Sequence, residues 1–264
     1  MAYTRHDVTL PTGPLSYYKA GSGRPVLYLH SGTGVRFTEP LDKLAEHFTV
    51  YMPIFPGYDG TKLHAGVKGG KALAQVFLAF VDTVIKEKTD VIGHSIGGYI
   101  AAWLAVMAGD KIDQLVLVGT GGLRPKGSPP MPTDPKEMLK RAYVHPENIK
   151  PDNRTPEVSA KNRETAQHYS AVFDEELAGK LKEITAITLI IHGEKEGIIP
   201  EETSVLLRSR IKTSYMIYLY DAAHVPEVDQ PQRFFNLVGD FLTRGQAFLV
   251  NKGDRPPAGV PLPS

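Results

Sequence analysis

Asp90-Val91-Ile92-Gly93-His94-Ser95-Ile96-Gly97-Gly98-Tyr99 decides how this chain is read. The stretch opens as a short apolar strand, turns sharply, and continues into the Ala-rich apolar run Tyr99 to Ala108. Gly93-His94-Ser95-Ile96-Gly97 fits G-x-S-x-G, in the strand–turn–helix setting which that pattern requires. A turn of this kind strains the serine backbone and lifts the hydroxyl clear of the sheet. Glycines flank the serine because a Cβ at either place would collide where helix and strand nearly touch. Ser95 is therefore the candidate nucleophile.

Outward from this turn, strands and helices alternate. Arg5 to Leu10 and Leu15 to Ala20 read as a hairpin around Pro11-Thr12-Gly13-Pro14. Val26 to Leu29 is a continuous apolar strand, the pattern of one buried on both faces, and it runs into His30-Ser31-Gly32-Thr33-Gly34. A helix is expected over Leu41 to Phe48, a strand over Thr49 to Pro53, and an amphipathic helix over Ala72 to Lys86. Beyond the serine, Gln114 to Val118 is a strand. From Leu123 to about Thr185 strand periodicity stops. Pro-rich loops there separate helical stretches over Lys136 to Tyr143, Pro156 to Phe173 and Asp174 to Ile184. The pattern resumes with strands over Ile187 to Ile191 and Tyr215 to Tyr220, and helices over Thr203 to Ile211 and Pro231 to Thr243. The expected architecture is α/β: a mostly parallel central sheet of about eight strands flanked by helices, with an inserted helical lid. In domain terms, residues 1–122 and 186–244 form the core, 123–185 the lid, and 245–264 an irregular tail.

The 264 residues suffice for one large core. A net charge of +1 gives no reason to expect nucleic acid or a charged membrane surface as partner. Absence of cysteine excludes disulfides, thiolate catalysis and cysteine metal sites. The N-terminus has no apolar signal core and no run reaches membrane-spanning length, so a cytoplasmic location is expected.

Serine is a poor nucleophile at neutral pH without a base. Of nine histidines, His224 alone stands directly after the last strand, in Tyr220-Asp221-Ala222-Ala223-His224-Val225-Pro226. An acid that orients the base is expected after the strand ending at His192, where Glu194 and Glu196 compete. Glu196 is favoured because the turn delivers its side chain toward the histidine loop, and Asp221 stands too close to His224 in sequence. Donors for the oxyanion are expected from the backbone N–H of Ile96, at a helix start, and of Gly32, in the loop after Val26 to Leu29. His30 is read as a brace for that loop. No histidine pair has metal-ligand spacing with an acid between, so neither a metal nor an organic cofactor is expected.

These motifs together resemble the α/β-hydrolase fold superfamily: Gly93 to Gly98, His30 to Gly34, Phe55-Pro56-Gly57-Tyr58, Gly193 to Pro200 and His224-Val225-Pro226. The resemblance runs from about Val8 to Leu242, and the order Ser95, Glu196, His224 is that family's order. It departs from the family at Ser31, which stands where glycine is usual, at Ile54, where an Asp often precedes Pro-Gly, and at Glu196, where Asp is usual. Asp229 stands in the place of an acid that starts the following helix. The resemblance implies a serine hydrolase acting on a small molecule with a carbonyl group. A serine nucleophile disfavours the related dehalogenases and epoxide hydrolases, which use aspartate. A small carboxylic ester or lactone is the first substrate expected. Carbon–carbon cleavage of a vinylogous diketone is the alternative, because Gly121-Gly122-Leu123 before a helical lid is similar to the meta-cleavage product hydrolases. Their lids often supply an arginine, a role for which Arg163 or Arg141 is available here. Ser31, Arg163 and His168 are the candidate substrate contacts. A ligand-binding module, or a cofactor-free perhydrolase or lyase, would share the fold without this reaction.

Overall fold

The computed structural model describes residues 2–248, so the expected tail lies largely outside the described residues. Its strands are β1 (Thr4–Leu10), β2 (Gly13–Ala20), β3 (Pro25–Leu29), β4 (Thr49–Pro53), β5 (Thr89–His94), β6 (Ile112–Val118), β7 (Ile187–Gly193) and β8 (Ser214–Leu219). They form one sheet in the order β1-β2-β4-β3-β5-β6-β7-β8. β1 and β2 make the expected antiparallel hairpin, and β2 pairs antiparallel with β4. From β4 onward every pairing is parallel. β3 and β5 are buried along their whole length. That is why β3 reads as an unbroken apolar run rather than an alternating one, whereas β5 buries Thr89, Asp90 and His94 around its apolar Val91 and Ile92.

The helices are α1 (Glu39–Leu44), α2 (Gly69–Phe80), α3 (Ile96–Ala108), α4 (Pro135–Ala142), α5 (Pro156–Tyr169), α6 (Glu175–Lys180), α7 (Glu201–Arg210), α8 (Pro226–Asp229) and α9 (Pro231–Arg244). α3 is apolar nearly all round and almost wholly buried, with Trp103 only 1% exposed, as a helix without a polar face must be. Four expected helices are shorter than read from the sequence, α6 among them, which ends at Lys180 and passes into a 3-10 turn over Leu181–Glu183. α1 stops at Leu44 because the chain must enter β4 at Thr49. α2 passes into a π-turn over Val81–Ile85, ended by Lys86 in the left-handed region. α5 stops at Tyr169, because Phe173 forms a bridge with Leu123 and Asp174 N–H donates to Gly122 O.

α4, α5 and α6 lie between β6 and β7, and side-chain caps start each of them. Asp134 accepts from Lys136 N and Glu137 N, Thr155 from Val158 N, and Asp174 from Leu177 N. α5 is docked on the loops after β3 and β4. Asn162 donates to Thr33 O and Asp59 Oδ1, Thr165 to Gly57 O, and Tyr169 to Pro56 O. Asp174 also accepts from Tyr99 and Trp103 of α3, tying the start of α6 to the helix that follows Ser95. No helix among the described residues is long and apolar enough to cross a membrane.

One buried charge sets a pH dependence of stability. Asp90, at the start of β5, is fully buried, with Arg24 Nη2 2.9 Å from its Oδ2. Burial outweighs the Arg24 cation and pushes the carboxyl up to about 7. A raised acid binds its proton more tightly when folded, so its contribution is fully present below the ordinary carboxylate range and is lost as pH rises toward 7. Asp90→Asn is expected to flatten the fall of Tm between about pH 4 and 7. Thermal melts across that range check it, and an unchanged slope overturns it.

Candidate active site

All the chemistry-bearing loops leave the carboxyl ends of parallel strands, the edge where such sheets bind ligands. Ser95 follows β5 directly and has φ 58°, ψ −117°. That region is sparsely populated for any residue with a Cβ and costs ~1–3 kcal/mol. Packing enforces it. A Cβ on Gly93 would lie 2.4 Å from Gly97 O, and one on Gly97 would lie 2.1 Å from Leu29 O and 2.6 Å from His30 O. The turn thus presses β3, β5 and the first turn of α3 together. Because the strain belongs to the backbone, Ser95→Gly is expected to raise thermal stability by ~1–3 kcal/mol, whereas Ser95→Ala keeps the strain. Denaturant melts of the two variants decide this, and equal stabilities refute it.

The structure brings Ser95, His224 and Glu196 into one relay. Ser95 Oγ is 3.0 Å from His224 Nε2, and His224 Nδ1 is 2.8 Å from Glu196 Oε2. The side chains of His224 and Glu196 are 9% and 1% exposed. Glu196 also accepts from Ile198 N (2.7 Å) and Ile199 N (3.0 Å), both on Oε1. Burial acts to raise this carboxyl, but the imidazole beside it and the N–H donors win and hold it below its ordinary value. It stays ionised beside the imidazole. Gly119 makes room for the relay: a Cβ there would lie 3.0 Å from His224 Nδ1 and 3.1 Å from Glu196 Oε2.

The rival acids are engaged elsewhere. Glu194 is exposed and accepts from Asp221 N. Asp221 pairs with Lys195 and His145, and Gln230 donates to it.

Of the two expected oxyanion donors, Ile96 directly follows Ser95 and Gly32 lies in the loop after β3. Ile96 opens α3, where the first backbone N–H groups have no intrahelical partner. Gly32 lies in the loop after β3 that Gly97 lets approach, and the methyl of Ala166 on α5 would be 3.4 Å from a Cβ there. His30 braces this loop as read. Its Nδ1–H donates to Ser31 O (2.7 Å), and its Nε2 accepts from Phe55 N (3.1 Å). Burial pushes its pKa down to about 4, so the ring is neutral at pH 7.

The expected substrate contacts divide. The Ser31 hydroxyl is 2.9 Å from that of Thr33. His168 Nε2–H donates to Val67 O (2.8 Å), which ties it to a core loop and leaves it outside the relay. Arg163 is exposed on α5, one turn before Ala166. Arg141 is exposed at the end of α4, with its backbone against Gly197. A cavity of about 640 Å³ opens between Val35–Glu39 and residues 148–158, with Glu227 and Val228 in its wall. Its cations are paired: Arg154 with Asp59 at 3.0 Å and Arg36 with Asp152 at 3.4 Å.

The sequence profile of the alpha/beta hydrolase fold matches residues 24–173, more than half of the chain. The chain belongs to the alpha/beta hydrolase fold family. This hydrolase is 26% identical, over 85% of its length and 91% of the relative's, to 2-hydroxy-6-oxo-2,4-heptadienoate hydrolase of Pseudomonas putida. It is 26% identical, over 84% of its length and 79% of the relative's, to Lipase 3 of a Moraxella species. The solved structure of 2-hydroxy-6-oxo-6-phenylhexa-2,4-dienoate hydrolase from a Rhodococcus species superposes with a TM-score of 0.77. That match covers 92% of this chain and 100% of the other at 20% identity, a likeness of fold. The hydrolase's helix α8, with the buried residues Glu227 and Asp229, had no clear periodic signal. At four residues it is shorter than any apolar repeat.

Proposed function

We propose that this hydrolase cleaves a small carboxylic ester or lactone through an acyl-enzyme on Ser95. The relay from Ser95 Oγ through His224 to Glu196 carries the reading. Ser95 gives its proton to His224 Nε2 as Oγ attacks the carbonyl carbon, and Glu196 stabilises the imidazolium. The N–H groups of Ile96 and Gly32 bind the oxyanion. Collapse expels the alcohol, which takes the proton from His224. Water, deprotonated by the same imidazole, then releases the acid and restores Ser95.

A second reading has one observation in its favour. Arg163 is exposed on α5, one turn before Ala166, whose methyl lies against the Gly32 loop. Together with the Pseudomonas relative's name, this supports carbon–carbon cleavage of a vinylogous diketone by the same nucleophile.

The test is a fluorophosphonate, with the adduct located by mass spectrometry, followed by turnover of short-chain esters and ring-fission diketones. Labelling at Ser95 that is lost in Ser95→Ala and slowed in His224→Ala is expected. A folded protein that takes up no label would refute the serine mechanism and favour a binding role. Turnover of diketones but not esters moves the assignment to the second reading, and Arg163→Ala should then raise KM for the carboxylated substrate.

A further inference from the structure

His94 and Glu227 form a buried pair that the relay does not use. His94 is the residue before Ser95, and Glu227 is the second residue of the short α8, three residues after His224. Their side chains are 3% and 4% exposed, and His94 Nδ1 is 2.8 Å from Glu227 Oε1. On its other side, His94 Nε2–H donates to the backbone carbonyl of His224 (2.8 Å). A carbonyl can only accept, so this bond requires a proton on Nε2 at all times. The carboxylate then faces the remaining nitrogen, and the pair holds its further proton between them. Burial opposes both charges, but each partner offsets that for the other: Glu227 holds His94 above its ordinary value, and His94 holds Glu227 below.

Stability does not account for this arrangement. Glu227 Oε2 is buried and has no hydrogen-bond partner among the described residues. Its other oxygen accepts a long bond from Tyr28 (3.3 Å) besides the His94 contact. Buried ion pairs are often no better for stability than apolar side chains of like volume, and an unmet carboxylate oxygen makes this one worse. What the pair does hold is a distance. It runs from the residue beside the nucleophile to the backbone of the base, parallel to the 3.0 Å contact between them.

We propose that His94 and Glu227 are positioning residues: a buried strut that fixes the backbone of His224 against the Ser95 turn and so sets the nucleophile–base distance before substrate arrives. This rests on the assignment of Ser95 and His224 made above. The strut is also electrically balanced. The His94 and His224 rings are 5.0 Å apart between centroids, so a lone imidazolium at His94 would oppose proton transfer to His224. The Glu227 carboxylate offsets it. The other ionisable groups facing the pair are Glu196, His224, Tyr28 and Tyr143.

The experiment compares His94→Leu/Glu227→Leu, which strands no charge, with Glu227→Gln. In Glu227→Gln the carboxamide still meets Nδ1, and Nε2 keeps its proton. The double variant is expected to melt within a few degrees of wild type, to keep KM, and to lose kcat and the rate of Ser95 phosphonylation together, by about 10–100-fold. Glu227→Gln is expected to lose no more than about threefold and to keep the pH profile of the wild type. A double variant that labels at the wild-type rate overturns the strut while leaving the Ser95 assignment intact. If the double variant does not fold, Glu227→Leu takes its place: slower labelling than in Glu227→Gln supports the strut, and equal rates overturn it. Wild-type protein that takes up no label removes the assignment itself, and the strut with it.

Discussion

Glu196→Gln is expected to lower kcat by about 10⁴ while KM stays nearly unchanged. The geometry explains why a near-isosteric change should cost so much. Glu196 Oε1 is fixed by two backbone donors, Ile198 N and Ile199 N. In the amide, the carbonyl oxygen must take that place, because an NH₂ group cannot accept from them. The NH₂ is then forced toward His224 Nδ1, which must accept. The imidazole proton moves to Nε2, the atom that should receive the proton of Ser95. The base is then present, well placed and in the wrong tautomer. Steady-state kinetics on any substrate found active, together with Ser95 phosphonylation rates, check this. A loss below about tenfold would mean that Glu196 is not the orienting acid.

Gly97→Ala is the second large effect, and it acts on fold and chemistry together. The new methyl would sit 2.1 Å from Leu29 O and 2.6 Å from His30 O. Both are backbone atoms at the end of a buried strand, so no rotamer change relieves the clash. Overpacking of this kind costs ~3 kcal/mol or more, a fall in Tm of roughly 6–12 °C for a chain of this size. The relief available is to push the loop after β3 away from α3, which carries Gly32 away from Ile96. Activity measured well below the new Tm should therefore also fall, by ~10²-fold for a misplaced oxyanion donor. Thermal melts and kinetics on the purified variant test both parts. Wild-type values for either would show that the loop is not held at van der Waals distance.

What could be read in the sequence and what could not divide along a physical line. Ser95 was legible because a strained turn needs glycine at fixed offsets. β3 was legible because burial on both faces leaves it no polar position, and β5 because the apolar pair Val91-Ile92 leads straight into the glycine-flanked turn. Glu196 was separable from Glu194 by its place in the turn alone, and the structure puts it on His224 while Glu194 caps Asp221 N. The unread features depend on partners far along the chain. The end of α5 is set by the pairing of Phe173 with Leu123. His168 has the residue type of a catalytic group, yet it spends its ring nitrogen on Val67 O, 101 positions away. The pairing of His94 with Glu227 spans most of the sheet in sequence, and no local pattern marks it. Asp229 was assigned to the start of the last helix. It sits at the end of α8, and its carboxylate turns away to accept three backbone N–H groups.

Those three bonds have a mechanical consequence. Asp229 Oδ1 takes Val144 N and His145 N from the segment after α4, and Oδ2 takes Ala223 N, beside His224. One rigid planar group thus joins the inserted helices to the backbone next to the base. If that segment swings outward, it must either break two charge-assisted bonds, each stronger than a neutral one, or pull Ala223 and His224 along. Along the second route, displacement of the inserted helices and the distance between His224 and Ser95 are linked through a single carboxylate.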